Sequence, residues 1–310
     1  MTTLVTGATG LLGRRLVREL GAGVVALSRD ASRAAPVLPD ARIVAWDARS
    51  TIDASAFDGV DVVFHLAGEP VAEGRWTEEK KRRLLESRTL VTRALVDSMR
   101  KSSRRPRVLV NASAVGVYGS RGDEVLTEDS APGSGFLADV CKAWEAEAAA
   151  ASELGIRVVC VRTGIVLARD GGALARMLPL FKAGVAGPLA SGKQWMPWLH
   201  IDDAVGLLRH AASSDAIHGP MNACAPEPVT NRDFTRTLGA VVSRPTIFPV
   251  PRIALRVAFG ETADVVLASQ RAVPKRALAT GYVFRHPDLR EALEDLCGRA
   301  ARGTTRPAHA

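Results

Sequence analysis

"TGATGLLG", residues 6–13, decides how the rest of the chain is read. Gly7, Gly10 and Gly13 stand at GxxGxxG spacing, after the apolar "TLV" and before the helical pattern "RRLVREL". A side chain at these positions would block a tight strand-to-helix turn. It would also keep the backbone from approaching a pyrophosphate at the helix N-terminus. Three glycines alone are weak evidence. Their place between a strand and a helix makes the stretch a candidate dinucleotide-binding turn, with Thr9, Leu11 and Leu12 completing the candidate contacts.

The pattern continues outward. "TLVTG", "VVALS", "RIVAW", "DVVFHLAG", "RVLVNAS" and "IRVVCVR" alternate with amphipathic or Ala-rich segments, as in a parallel α/β sheet. Nearly continuous Val, Ile and Leu within each run implies strands buried on both faces. The expected fold is therefore a doubly wound Rossmann sheet with right-handed crossovers. Beyond Arg162 the chain breaks into Gly/Pro-punctuated pieces, with helices expected over 173–182, 203–212, 231–242 and 288–296. The expected division is a nucleotide-binding domain over 1–170, rejoined by 195–225, and a smaller substrate-binding region over 171–194 and 226–300. A mobile tail is expected over 301–310.

Where the second strand ends, an acidic residue would bind a ribose 2'-hydroxyl and a basic one a 2'-phosphate. "ALSRD" offers Ser28 and Arg29, with Arg33 one turn on, which favours NADP(H) over NAD(H). Asp30 keeps NAD(H) open, although a helix N-cap is the better reading of it. Asp47 follows the third strand where an adenine contact would fall. Leu66, Ala67, Gly68 and Glu69 end the fourth beside the expected ribose and nicotinamide, and Arg88, Ala112, Gly164 and Ile165 complete the candidate cofactor set. His65, just inside that strand, reads as a core imidazole.

Composition narrows the class. The net charge of +8 and the run "KKRR" at 80–83 raise nucleic-acid binding, yet Thr77, Glu78 and Glu79 before the run look like a cap and acidic first turn. The run then reads as one solvated helix face. Aromatic residues make up 5% of the chain and do not interleave with the basic ones, so a base-stacking platform is missing. Cys141, Cys160, Cys224 and Cys297 are far apart with no CxxC spacing, which fits reduced thiols, a cytoplasmic location and no metal site. No signal peptide or membrane-spanning run is expected.

These residues resemble the extended short-chain dehydrogenase/reductases of the NAD(P)-dependent epimerase/dehydratase superfamily. "LAGEPVAEGRWTEEKKRRLLESR", "GFLADVCKAWE", "PLASGKQWMPWLHIDD" and "ASQRAVPKRALATGYVFRHPDL" are similar to its atypical "epimerase family protein" branch, and the likeness runs over residues 1–297. It implies an NADP-binding Rossmann domain with a C-terminal substrate domain. It also implies cofactor contacts at the glycine turn, Ser28, Arg29, Glu69 and Arg75.

Ordinary members of that superfamily carry a catalytic Tyr-x-x-x-Lys. Only Tyr118 and Tyr282 exist here, and neither is followed by Lys at the fourth place. If Glu145 matches the acidic residue common four places after that lysine, Cys141 stands at the lysine position and Leu137 at the tyrosine position; a shift by one gives Val140 and Phe136, again without the dyad. Lys142 is adjacent but points about 100° away around a helix. By elimination Tyr118, Ser113 and Cys141 are the candidate catalytic residues, with Glu69 a further candidate for handling the proton. Trp195, Met196, Trp198 and Phe181 either line a substrate cleft or form core.

The reading is an NADP(H)-dependent oxidoreductase of atypical active site, acting on a small organic molecule as a monomer or homodimer, with no nucleic-acid or membrane partner. The rivals are a non-redox isomerase, epimerase, dehydratase or cyclase on the same fold, and a non-catalytic NADPH-binding regulatory protein.

Overall fold

The computed structural model describes residues 2–298; the expected tail over 301–310 and the last two residues of the expected substrate region lie outside them. The elements of the first half are β1 (Thr2–Thr6), α1 (Leu11–Leu20), β2 (Val24–Ser28), α2 (Ala31–Ala34), β3 (Arg42–Ala45), β4 (Val60–His65), α3 (Glu78–Lys101), β5 (Val108–Ala114), β6 (Val125–Leu126) and α4 (Phe136–Ala149). Then follow β7 (Arg157–Thr163), β8 (Ile165–Ala168), α5 (Gly172–Lys182), β9 (Trp195–Met196), β10 (Trp198–His200), α6 (Ile201–Ser213), β11 (Gly219–Ala223), β12 (Val229–Thr230) and α7 (Asn231–Val241). The C-terminal elements are α8 (Arg252–Phe259), α9 (Asp264–Leu267), β13 (Arg271–Ala272), α10 (Lys275–Ala279) and α11 (Leu289–Cys297).

Seven strands form one parallel sheet in the order β11-β7-β5-β4-β1-β2-β3. Strand order reverses between β1 and β4, and that switch point opens a crevice at the strands' C-terminal ends. The six runs of Val, Ile and Leu are all strands of this sheet; five are buried between helices, and β3, at the edge opposite β11, is partly exposed. Val5, Val62, Val110 and Val159 pack toward α1 and α6. Leu4, Val63, Leu109 and Val158 pack toward α3 and α4. Each such side chain contributes roughly 1.5–3 kcal/mol on full burial. The seventh strand, β11, was not among the expected runs. Its Gly219 and Pro220 disguise it, and both are tolerated because the strand lies at the sheet's edge.

The four expected helices of the second half are α5, α6, α7 and α11, each within a residue or two of its expected limits. A third core joins them: Phe181, Met196 and Trp198 are buried there among Leu174, Phe234 and Leu293. The cleft-lining alternative therefore fails for these three. Trp195 is half-buried, its indole N–H donating to Asp123 and its ring covered by Arg271 at 4.4 Å. His200, Asp202 and His286 are the group of potential cation ligands among the described residues. The two imidazoles stack at 3.7 Å, and His200 Nδ1 accepts the Asp202 N–H, an arrangement that ties α6 to the C-terminal segment. No helix among the described residues is long and apolar enough to cross a membrane.

Candidate active site

The glycine turn is built by exclusion. Gly7 has φ +66°, and a Cβ on it would lie 2.7 Å from the Leu66 carbonyl carbon. A Cβ on Gly13 would lie 2.2 Å from the Gly7 oxygen. Gly10 differs: its Cβ would meet only the Gly7 oxygen, at 3.2 Å, so its outer side is open. Gly10 is also the N-cap of α1, with no side-chain cap and no acidic residue in the first turn. The helix thus presents unpaired N–H groups and no competing negative charge. Leu11 and Leu12 point into the core, Leu11 against Gly171 and Gly172, so both offer only backbone to a ligand.

The floor beside the turn is fixed by one hydrogen-bond chain. Ala67 N–H donates to Thr6 Oγ1 at 3.2 Å, and Thr6 lies 2.6 Å from His65 Nδ1. His65 Nε2 lies 2.9 Å from Thr92 Oγ1, which donates to the Arg88 carbonyl at 2.6 Å. These roles place the imidazole proton on Nε2. Burial pushes the pKa of His65 down to about 3, so the ring is a neutral strut, as the core reading expected.

At the end of β2, Asp30 Oδ1 accepts from Arg33 N at 3.0 Å and Ser32 Oγ at 2.7 Å. It is the N-cap of α2. Ser28 is half-buried and Arg29 exposed beside it. Asp47 Oδ1 accepts from the backbone of Arg49 and Ser50, shaping its own turn.

Glu69 pairs with Lys80 at 2.7 Å, and that ammonium holds its carboxyl below the usual range. Lys80 is itself buried, which corrects the solvated-face reading of 80–83 at its first residue. Lys81 pairs with Glu78 and Glu261, and Arg83 with Glu79. Arg75 is exposed and lies against Gly260 after α8, while Thr262 Oγ1 accepts from Trp76 N and donates to the Gly74 carbonyl. The loop over the crevice is thereby tied to the C-terminal region. At the end of β7, a Cβ on Gly164 would lie 2.0 Å from the Pro197 oxygen, and Ile165 N donates to the same oxygen at 2.7 Å. Ala112 is half-buried in β5.

The three catalytic candidates are all buried. Tyr118 is fully buried; its hydroxyl accepts from Arg162 Nη1 at 3.0 Å and donates to Asn222 Oδ1 at 2.8 Å. Burial also raises its pKa. Tyr118 is therefore corrected from proton donor to core polar residue. Tyr118→Phe is expected to leave Asn222 and Arg162 short of a partner and to lower stability by about 1–3 kcal/mol in chemical denaturation, without a specific effect on turnover. Ser113 is 4% exposed and donates to Glu145 Oε1 at 2.6 Å, facing α4. Cys141 is buried and burial pushes its thiol up to about 11, so it is no thiolate at neutral pH. That corrects its acid/base candidacy. Leu137 and Cys141, one turn apart on α4, both face Gly116 in the 3-10 turn that follows β5. Lys142 turns outward to Asp139.

Sequence reasoning missed the buried pair beneath them. Arg162 donates through Nε and Nη2 to the two oxygens of Glu145 at 2.9 and 2.8 Å. Burial disfavours the Arg162 charge, but the carboxylate outweighs it and holds the guanidinium above its ordinary pKa. An Arg inside the run "IRVVCVR" was the available signal.

The sequence profile described as "NAD dependent epimerase/dehydratase family" matches residues 3–224, and "Domain of unknown function (DUF1731)" matches 250–296. The chain is 40% identical over 302 residues to "Epimerase family protein SDR39U1 homolog, chloroplastic" of Arabidopsis thaliana, covering 94% of this chain and 86% of that protein. It is 36% identical to "Epimerase family protein YfhF" of Bacillus subtilis, covering 96% and 98%. Among solved structures it is similar to human epimerase family protein SDR39U1 (isoform 2) with NADPH, at TM-score 0.85 and 34% identity over 96% and 99% of the two chains.

Proposed function

The chain belongs to the NAD dependent epimerase/dehydratase family, and from that membership we propose an NADP(H)-dependent oxidoreductase of a small organic molecule, working without a Tyr-x-x-x-Lys dyad. The observation that carries the cofactor choice is the use of Asp30. Its carboxylate is taken up in capping α2, which leaves Ser28 and the exposed Arg29 at the end of β2 to meet a 2'-phosphate. The human relative crystallised with NADPH supports the same choice.

The residues fit such a cofactor. A side chain on Gly10 would stand on the open outer side of the turn, in the cradle a pyrophosphate needs. Gly7, Thr9, Gly10, Leu11, Leu12 and Gly13 would hold it through backbone, Asp47 would meet adenine, and Leu66 to Glu69 would meet the second ribose. Arg75 and Arg88 would add cationic donors, with Ala112, Gly164 and Ile165 beside the nicotinamide. A bound nicotinamide supplies the hydride chemistry. The chain's own part is to align the substrate and exclude water between the strand ends and the loop clasped by Thr262. The substrate-binding region proposed is 171–194 with 226–300. Cys141, Cys160 and Cys224 are buried as reduced thiols, which supports a cytoplasmic location.

Arg29→Ala is expected to weaken NADPH binding roughly 10- to 150-fold, a charge-assisted contact's contribution, and to leave NADH nearly unchanged. Calorimetric titration with both nucleotides checks this, and equal losses would refute the assignment. A second reading, an isomerisation, epimerisation or dehydration with the cofactor recycled, draws support from the apolar pair Leu137 and Cys141 and the burial of Tyr118. Following nicotinamide absorbance with candidate substrates separates the two. Net consumption of NADPH supports the oxidoreductase, and product without net change supports the second reading. Binding with neither would leave a regulatory nucleotide-binding protein.

A further inference from the structure

Arg88 is the charge in the molecule that packing least explains. On α3 it falls in the stripe of Leu84, Val91, Thr92 and Leu95, all buried, where helical periodicity calls for an apolar residue. Arg88 is 9% exposed. Among the described residues no carboxylate forms an ion pair with it. Its hydrogen bonds go to the Leu84 carbonyl at 3.0 Å, the Glu69 carbonyl at 3.1 Å and Ser87 Oγ at 3.4 Å. Guanidinium carries five N–H donors, so this set does not exhaust it. Burying a cation with no carboxylate at ion-pair distance costs several kcal/mol, and burial lowers its pKa despite the more distant attraction of Glu69. Such an arrangement is stable in a folded protein at a site that a ligand completes.

Its surroundings say which ligand. The guanidinium lies 3.4 Å from where a Cβ on Gly68 would stand, so the absence of a side chain there lets it reach the C-terminal end of β4. From the other side it covers the Trp144 ring of α4 at 5.0 Å, and the Cys141 thiol one turn earlier lies within its field. The Arg88 carbonyl is held by Thr92 in the chain that runs through His65 to Thr6, which fixes the helix at that point against the glycine strand. The cation thus sits between α3, α4 and the strand end, next to Cys141, which the resemblance sets at the lysine position.

We propose that Arg88 takes the place of that lysine as the cation that binds the ribose hydroxyls of the nicotinamide half of NADP(H). The assignment rests on the crevice being an NADP(H) site. The cationic function has moved from α4 to α3, while the tyrosine that a lysine would activate has been lost. Arg88 is thereby a cofactor-positioning residue with no phenol to acidify.

The test titrates the unmutated protein, Arg88→Met and Arg88→Lys with NADPH and with 2',5'-ADP, which carries the 2'-phosphate but lacks the second ribose. Arg88→Met is expected to weaken NADPH roughly 10- to 100-fold and to leave 2',5'-ADP within about twofold. Arg88→Lys is expected to recover part of the loss, since it keeps the charge but not the planar fork over Trp144. Retained 2',5'-ADP affinity certifies the fold of each variant. Native NADPH affinity in Arg88→Met, or an equal loss of both ligands, overturns the proposal. Should Arg88→Met not fold, Arg88→Lys decides: a selective loss of NADPH supports the role, and unchanged NADPH affinity overturns it. Failure of the unmutated protein to bind NADPH would remove the nucleotide reading itself. Binding without turnover would remove only the oxidoreductase reading and leave Arg88 in place.

Discussion

Gly10→Val is expected to abolish NADPH binding, with Kd rising on the order of 10³-fold or more, while the fold persists. The two halves of this result have separate causes. Gly10 has φ −73° and ψ 174°, a backbone conformation open to a branched residue, and its Cβ would meet only one atom, at 3.2 Å. The helix that follows therefore survives. The outer side is where a pyrophosphate must approach the free N–H groups of α1, and two valine methyls occupy that space. Losing two charge-assisted hydrogen bonds of about 1.5–3 kcal/mol each gives the stated factor. Gly13→Val would be a poor substitute, because a Cβ there already lies 2.2 Å from the Gly7 oxygen and the turn itself would break. Calorimetry on folded Gly10→Val showing affinity within tenfold of the unmutated protein would refute the cradle.

The glycine turn was legible in the sequence because its cause is local: residues 7 and 13 have no room for side chains against the turn and the end of β4, and residue 10 leaves the helix N-terminus open. Five buried strands were legible for a similar reason, since two apolar faces produce an unbroken apolar run. Tyr118 was not legible. Whether a side chain in the 3-10 turn after β5 points into the crevice or into the core depends on Asn222 and Arg162, which lie 104 and 44 residues away and come from β11 and β7. Lys80 failed for a related reason. A cation among cations reads as solvated until the preceding loop brings Glu69 to it. Glu145 entered the sequence reading only as a marker of alignment. Its own role became visible only when Arg162 appeared across from it.

That role supports the second large effect. Glu145→Ala is expected to destabilise the protein by about 3–5 kcal/mol, read from the midpoint of urea unfolding at constant slope. Arg162 and Glu145 side chains are 6% and 16% exposed, and the pair is bidentate. Removing the carboxylate strands a guanidinium in the core, takes the acceptor from Ser113, and leaves Tyr118 as the remaining side-chain partner of Arg162. The loss is thus the desolvation of an unpaired charge rather than the worth of a salt bridge, and that distinction can be measured. Removing both charges with Glu145→Leu and Arg162→Met should cost less than Glu145→Ala alone, because an apolar pair of similar volume needs no counter-charge. A double variant as unstable as the sum of its singles would mean that the two side chains act independently. A single variant losing less than about 1 kcal/mol would mean that water reaches Arg162, and that the floor under Leu137 and Cys141 is wetter than their burial indicates.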